Sequence, residues 1–159
     1  MTYLGAPMVY YGTEAGMWGA DDPDDRKPMV WPDLTYDAER SHPVVGKSRR
    51  PDEVKFDQDL YEYYRKLIRI RNSSLALRRG SVKTLKLDDA GYLYAFERNA
   101  ESSRVIVVVN ASPEPQALEV ESDEKLVDRV TDRVHPSVNG KVKLVLEATS
   151  GMILMKTEK

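Results

Sequence analysis

Hydrophobic positions change their spacing twice along this chain, and each change marks a different kind of structure. A short unbroken apolar run, Ala6 to Tyr11, sits between Gly5 and Gly12 and predicts a strand buried on both faces, as in a parallel sheet. From Thr13 to Val54 no period is sustained. Gly, Pro and Asp recur too often there for helix or strand, so a long irregular segment is expected. Leu60, Tyr64, Leu67, Ile68 and Arg71 then recur at three- and four-residue steps, which predicts a helix with one apolar stripe, widened by Tyr61 and Tyr63. Asp52 or Asp57 can cap its start, and Phe56 can staple onto Tyr61.

After Gly80, read as a helix or loop terminator, the period falls to two. Val82 to Leu87 and Tyr92 to Arg98 alternate around a turn at Asp88-Asp-Ala-Gly91, with Tyr92, Tyr94 and Phe96 on one face. Arg104 to Asn110 has the β-branched density of a central strand. Gln116 to Val120, Val127 to Thr131, Lys141 to Leu146 and Met152 to Lys156 read as further strands, and Asn139-Gly140 is a strong hairpin signal. About seven short strands at regular spacing predict an antiparallel sandwich. The fold class expected is therefore mixed: one strand-loop-helix unit over residues 1–79, then a Greek-key β-sandwich over residues 80–159.

Composition narrows the function classes more than it names one. A net charge of −2 gives no general attraction to nucleic acid or to an anionic membrane, so neither is an expected partner. The absence of cysteine removes disulfides, thiol catalysis and thiolate metal sites, without fixing a compartment. The longest apolar runs, such as Val105 to Val109, are far shorter than the roughly 18 residues of a membrane span. Met1-Thr-Tyr-Leu shows no signal peptide, and any such peptide would lie upstream; the location is left open, with the cytoplasm favoured.

A buried parallel strand, a long loop and a helix form one βα unit of a barrel, whose chemistry lies at the carboxyl ends of its strands. The residues here also carry a resemblance. Gly5-x-Pro7-x-x-Tyr10-Tyr11-Gly12-x-Glu14, followed by Asp22-Pro23-x-x-Arg26-x-Pro28-Met29-x-Trp31, resembles the last barrel strand and loop of the α-amylase family, glycoside hydrolase family thirteen. Members of the cyclomaltodextrinase and neopullulanase type are the most similar. Phe56 to Asn72 resembles the last barrel helix, Leu75 to Gly80 the link, and the remainder the C-terminal sandwich. The chain departs from the family at Thr13, where Asp is usual. A complete barrel needs about 250 residues, and this chain has 159. In the family the nucleophile, the general acid and the transition-state stabiliser come from the fourth, fifth and seventh strands, none of which is matched here. The resemblance thus implies the C-terminal part of a retaining α-glucan hydrolase, inactive alone, whose ligand in the intact parent is an α-glucan oligosaccharide. The alternative is a non-catalytic carbohydrate-binding or structural sandwich module, using Tyr92, Tyr94 or Trp18.

Asp22 and Arg26 are the candidate substrate-binding residues, and no catalytic residue is assigned. The resemblance places their loop over the cleft, and a carboxylate and a guanidinium suit sugar hydroxyls. A loop ion pair, or Asp22 capping a turn, remains the plainer reading. Glu14 follows a strand end, but retaining chemistry needs two carboxyl groups about 5–5.5 Å apart, so a structural role is expected. The cluster Asp21, Asp22, Asp24, Asp25 fails the EF-hand pattern, because Arg26 and Pro32 stand where Gly and Glu are required; no metal is expected. Trp31, beside Pro32, reads as loop packing, and Trp18 as a possible face for a pyranose. His42 and His135 are isolated, no cofactor motif is present, and the glycines from Gly5 to Gly19 lack the Gly-Lys-Ser/Thr of a phosphate loop. A lone barrel strand and an unpartnered helix stripe also predict that this region repacks, either onto the sandwich or, by self-association, against a second copy.

Overall fold

The computed structural model describes residues 1–19, 22, 24–42 and 44–157. They fall into two compact units, Met1–Ala6 with Leu67–Lys159, and Pro7–Lys66. The first unit holds the β-structure: β1 (Ser81–Asp88), β2 (Leu93–Ala100), β3 (Ser103–Asn110), β4 (Gln116–Glu121), β5 (Leu126–Asp128), β6 (Val134–His135), β7 (Ser137–Val138), β8 (Lys141–Leu146) and β9 (Ser150–Lys156). Two antiparallel sheets form, ordered β1-β2-β3-β9-β5-β6 and β4-β8-β7. The chain crosses to the small sheet after β3, returns for β5 and β6, crosses again for β7 and β8, and closes with β9 between β3 and β5.

The alternation in sequence explains which layer each strand occupies. Along β8 burial alternates strictly: Val142, Leu144 and Leu146 face inward, and Lys141, Lys143 and Val145 face water. They meet Leu93, Ala95, Ile106, Val108, Leu126 and Leu154 of the large sheet in one core. In β3 the run Val105-Ile-Val-Val108 is buried throughout, because the large sheet is covered on both faces. Its second face packs Val105, Val107, Phe96 and Ile153 against Ile70, Ala76 and Leu77. Those last three belong to the helices α1 (Gln58–Ser73) and α2 (Leu75–Arg79). Each fully buried leucine here stabilises the fold by about 1.5–3 kcal/mol relative to exposure.

The turns follow local chemistry. Asn139 and Gly140 take φ of 52° and 76° between paired Val138 and Lys141, the two-residue hairpin their sequence predicts. Gly80 ends α2, as expected, with its N–H donating to the Ala76 carbonyl. It is extended (φ −69°, ψ 157°), and a side chain there is excluded because an added Cβ would lie 2.4 Å from the Ala76 carbonyl oxygen and 2.7 Å from that of Asn99. The strand expected over Val127 to Thr131 ends at Asp128, whose carboxylate accepts from the Val130 and Ile153 amides and the Thr131 hydroxyl, turning the chain. Tyr92 does not join Tyr94 and Phe96 on a strand face: it sits in the turn at φ 52° and is exposed.

Two arginines tie the N-terminal residues to this unit. Arg71 donates to the carbonyls of Met1 (2.7 Å), Tyr3 (3.4 Å) and Gly5 (2.6 Å). Arg98, 1% exposed, donates to those of Thr2 (2.7 Å), Gly80 (2.8 Å) and Ser81 (3.1 Å). The Tyr3 ring meets Phe96 edge-on at 5.5 Å.

In the second unit the expected strand is absent. Residues 6–11 form no ladder, and Met8 is 90% exposed. A strand needs neighbours for its backbone N–H and C=O groups, and among the described residues none pairs with this segment. An apolar run alone therefore does not make a strand here. The helix start follows its sequence closely. The Asp57 carboxylate accepts from Leu60 N at 2.9 Å, and Phe56 packs on Tyr61 at 5.2 Å, forming the cap and staple. Ala15 and Val30 are the buried hydrophobic residues described in this unit.

Candidate functional site

The loop chemistry of Pro7–Lys66 is organised by a short 3-10 turn, Thr13–Ala15, that places Glu14. Gly12 precedes it at φ 84°, and its carbonyl accepts from the amides of Ala15 (3.0 Å) and Met17 (2.9 Å). Only glycine serves well there, since the left-handed φ disfavours a side chain and a Cβ would meet Met17 Sδ at 2.4 Å. The Ala15 carbonyl then accepts from Asp57 N at 3.0 Å, fixing the turn against the helix start.

This arrangement brings three distant pieces of sequence around one cavity of about 470 Å³. Its walls are Tyr11, Glu14, Met29, Trp31, Pro32, Phe56, Gln58 and Tyr61. Glu14 is the one carboxyl group among these residues, and its Oε2 is buried without a hydrogen-bond partner. Tyr11 is held in place by donating its hydroxyl to the Lys27 carbonyl at 2.9 Å. Its phenol is pushed above the ordinary value, first by loss of hydration and next by Tyr10, whose ring lies 4.8 Å away. Trp31, expected as loop packing, is instead 53% exposed at the rim.

A second cavity of about 250 Å³ lies beside Met17, Trp18, Pro28, Val30, Tyr36 and Val54. Polar clips fix its walls. Lys27 pairs with Glu39 and, at 3.3 Å, with Asp24, while Ser41 donates its hydroxyl to Asp24 at 2.7 Å. Glu39 and Asp52 exchange backbone hydrogen bonds of 2.8 and 2.9 Å, and Arg49 pairs with Asp52. Trp18 carries the Arg49 guanidinium 3.9 Å from its ring centre and Lys27 Nζ at 4.9 Å, so cations already contact this ring. The hydrogen bond and charge of Glu53 push the Lys55 ammonium above its ordinary value.

Asp22 and Arg26 are brought together, as an i,i+4 ion pair of 2.9 Å with both side chains more than half exposed. Such a pair contributes at most about 1 kcal/mol to stability. Neither residue lines the two cavities just described. Asp21 and Pro23 lie outside the described residues. His42 accepts from Val44 N at 2.9 Å, and His135 is buried in β6. No group of three metal-ligating side chains occurs among the described residues, and no helix there is long and apolar enough to cross a membrane. The reading from sequence missed the Glu14 cavity as a cavity. Glu14, Trp31 and Tyr61 are too far apart in the chain for spacing to connect them.

No family model matches the chain. Neopullulanase 2 of Thermoactinomyces vulgaris is 35% identical over 158 residues, which covers 97% of this chain and 24% of that protein. A solved cyclomaltodextrinase superposes with a TM-score of 0.76 at 26% identity, over 98% of this chain and 24% of its own. An Anoxybacillus α-amylase shares the fold, with a TM-score of 0.77 at 22% identity over 99% of this chain and 30% of its own. The chain thus spans about a quarter of the length of the neopullulanase and cyclomaltodextrinase it matches. With nearly all of its residues aligned to such proteins in sequence and in fold, the chain belongs to the α-amylase family of glycoside hydrolases, as a C-terminal segment.

Proposed function

We propose that this chain is the part of an α-glucan-acting glycosidase that follows its catalytic groups. Residues 1–79 would supply the last βα unit of a barrel, and residues 80–159 its C-terminal sandwich. The intact enzyme would cleave α-1,4 or α-1,6 glucosidic bonds in maltodextrins or cyclodextrins by the retaining route. The observation that carries this reading is the alignment with neopullulanase 2 over 97% of the chain but only 24% of the relative. The chain alone would be inactive, because retaining chemistry needs two carboxyl groups flanking the bond. Glu14 has no second carboxyl on its cavity, and of the carboxylates lining the other, Asp37, Glu39 and Glu53, the two glutamates are paired with Lys27 and Lys55. Asp22 and Arg26 would hold glucose hydroxyls at the non-reducing side.

The test is a chimaera in which this chain replaces the corresponding segment of neopullulanase 2. It should release reducing sugar from maltodextrin, with KM raised by Asp22→Ala or Arg26→Ala. A folded, soluble but inactive chimaera would count against the reading, as would turnover of maltodextrin by the purified chain alone.

Exposed Met8, Tyr10, Leu34 and Val45 support a further element of this proposal. Residues so apolar would be covered by the rest of a barrel or by a second copy of the chain. Light scattering from the isolated chain separates these: a dimer is the expected outcome if copies cover each other. A monomer whose Ala6–Trp31 amides exchange rapidly excludes the dimer.

A further inference from the structure

Asn139 and Gly140, which turn the chain between β7 and β8, combine an unusual backbone conformation with a reactive side chain. Both hold left-handed φ, 52° and 76°. Asn139 is exposed, and its carboxamide hydrogen-bonds to none of the described residues. The other asparagines are placed differently. Asn72 lies in the last turn of α1, the Asn99 amide donates to Glu97, and the Asn110 amide donates to the Glu114 and Glu147 carbonyls, each at 2.8 Å. Each of them precedes a residue with a side chain, Ser73, Ala100 or Ala111, whereas Gly140 has no Cβ to crowd the approach of its nitrogen to the Asn139 carboxamide. The hairpin around the pair is also weakly held. β7 is a two-residue strand at the edge of the small sheet, pairing Ser137 with Val142 and Val138 with Lys141. Ser122 clips it from the side, donating its amide to the Gly140 carbonyl at 2.9 Å and accepting at its own carbonyl from the Ser137 hydroxyl at 2.5 Å.

We propose that Asn139 is a self-modification site, at which the chain converts asparagine to isoaspartate and thereby opens the β7–β8 turn for good. The Gly140 backbone nitrogen gives up its proton to hydroxide and attacks Asn139 Cγ. The N–Cγ bond forms, the Cγ–Nδ2 bond breaks, and the nitrogen leaves as ammonia, closing a five-membered succinimide. Water then adds to one of the two ring carbonyls and opens the ring to aspartate or isoaspartate. Ring closure needs the backbone of Asn139 to rotate out of the turn, and a short edge pairing makes such local opening accessible in the folded state. In isoaspartate the main chain runs through Cβ and Cγ, which adds one main-chain atom. A turn that needs two ordinary residues at positive φ cannot absorb it. The new carboxylate also stands near Asp123, whose Oδ1 lies 3.4 Å from the position of a Cβ on Gly140, so like charges oppose reclosure.

Peptide mapping of the whole chain, aged in isotopically labelled water at mildly alkaline pH, tests the proposal, with isoaspartate methyltransferase labelling as a second readout. Isoaspartate is expected at residue 139 ahead of residues 72, 99 and 110, at a rate that rises with hydroxide and is slower than in the same chain unfolded in urea. Ser137→Ala, which removes one clip, should speed the conversion about fivefold, the effect of one hydrogen bond. Asn139→Gly keeps a residue suited to positive φ and should abolish the modification at this position. Amide exchange at Ser122 should quicken in the aged protein while exchange in β2 and β3 is unchanged. Isoaspartate arising first at another asparagine overturns the proposal, as does a folded chain still unmodified at residue 139 after the unfolded chain has converted. Modification at residue 139 with unchanged Ser122 exchange overturns the opening of the turn. The wild-type time course and exchange do not depend on any variant folding.

Discussion

Replacing Arg98 by methionine is the substitution whose consequences the structure specifies most fully. The side chain is 1% exposed and its guanidinium serves three backbone carbonyls, those of Thr2, Gly80 and Ser81, at 2.7, 2.8 and 3.1 Å. Methionine fills much of the same volume but donates to none of them. A carbonyl left buried without a donor costs about 1–3 kcal/mol. Thr2, near the chain end, can move to water more readily than Gly80 and Ser81, which are held at the α2–β1 junction. Against these losses, the substitution removes the desolvation of a buried charge, which offsets part of the penalty. Burial, and after it the charge of Arg71, already pushes the Arg98 pKa down, which shows the sign of that offset. The net expectation is about 3 kcal/mol of destabilisation, a large share of a typical domain's stability of about 5–15 kcal/mol.

Urea unfolding followed by far-UV circular dichroism reads this directly. With a slope of about 2 kcal/mol per molar, the midpoint should fall by about 1.5 M. Trp18 and Trp31 are the two tryptophans of the chain, and both lie in Pro7–Lys66. Their fluorescence therefore reports the other unit and should move less than the dichroism. Arg98→Lys should fall between wild type and methionine, because one ammonium cannot span all three carbonyls in the fork geometry of arginine. A methionine variant within about 0.5 kcal/mol of wild type would refute the argument, by showing that the three carbonyls find other donors.

Three further outcomes are expected. Gly80→Ala should cost about 1–3 kcal/mol, because its Cβ must push back the carbonyls of Ala76 and Asn99; an unchanged melting temperature would show that the α2–β1 backbone yields freely. Asp57→Ala should cost about 1 kcal/mol and speed hydrogen exchange at Leu60; unchanged exchange would mean that water caps the helix equally well. Burial, then the charge of Arg133, lowers the pKa of His135, with Asp128 opposing. Its stabilising contribution is thus present above the ordinary histidine range near about 6.5 and is lost as pH falls through that value to the folded-state pKa. Melting temperatures between neutral and mildly acid pH should decline in wild type and decline less in His135→Gln, and parallel profiles would show that this histidine is not responsible.

The sandwich was legible in the sequence because its strands bury one face and expose the other, as in Lys141 to Leu146, or bury both, as in Val105 to Val108. Period and β-branched density report those two environments directly. Cap and staple at Asp57, Phe56 and Tyr61 were equally legible, since their partners lie within five residues. The short strands Val134–His135 and Ser137–Val138 were missed, because two-residue pairings carry no period. Gly80 was legible as a terminator, but not the reason for glycine there, which is the close approach of the Ala76 carbonyl and of Asn99, nineteen positions away. The ion pair of Asp22 and Arg26 could be foreseen from their i,i+4 spacing. The Glu14 cavity could not, since it depends on where Met29–Pro32 and Phe56–Tyr61 come to rest.

The same apolar spacing that identifies the sandwich core misleads over Ala6 to Tyr11, and the contrast has a physical cause. In the sandwich each inward residue meets another from the same chain, so period and burial agree: Leu144 meets the large sheet and is 1% exposed. In Pro7–Lys66 the described fully buried hydrophobic residues are Ala15 and Val30, while Met8, Trp31 and Val45 remain exposed. The segment is held by polar clips instead: Lys27 with Glu39 and Asp24, Ser41 with Asp24, Arg49 with Asp52 and over Trp18. Each such contact near the surface is worth about 1 kcal/mol or less in water. The apolar pattern of this segment thus exceeds what the segment itself buries among its described residues. The chain aligns with about a quarter of the length of a neopullulanase, and under the proposed function the covering surface belongs to the remainder of such an enzyme.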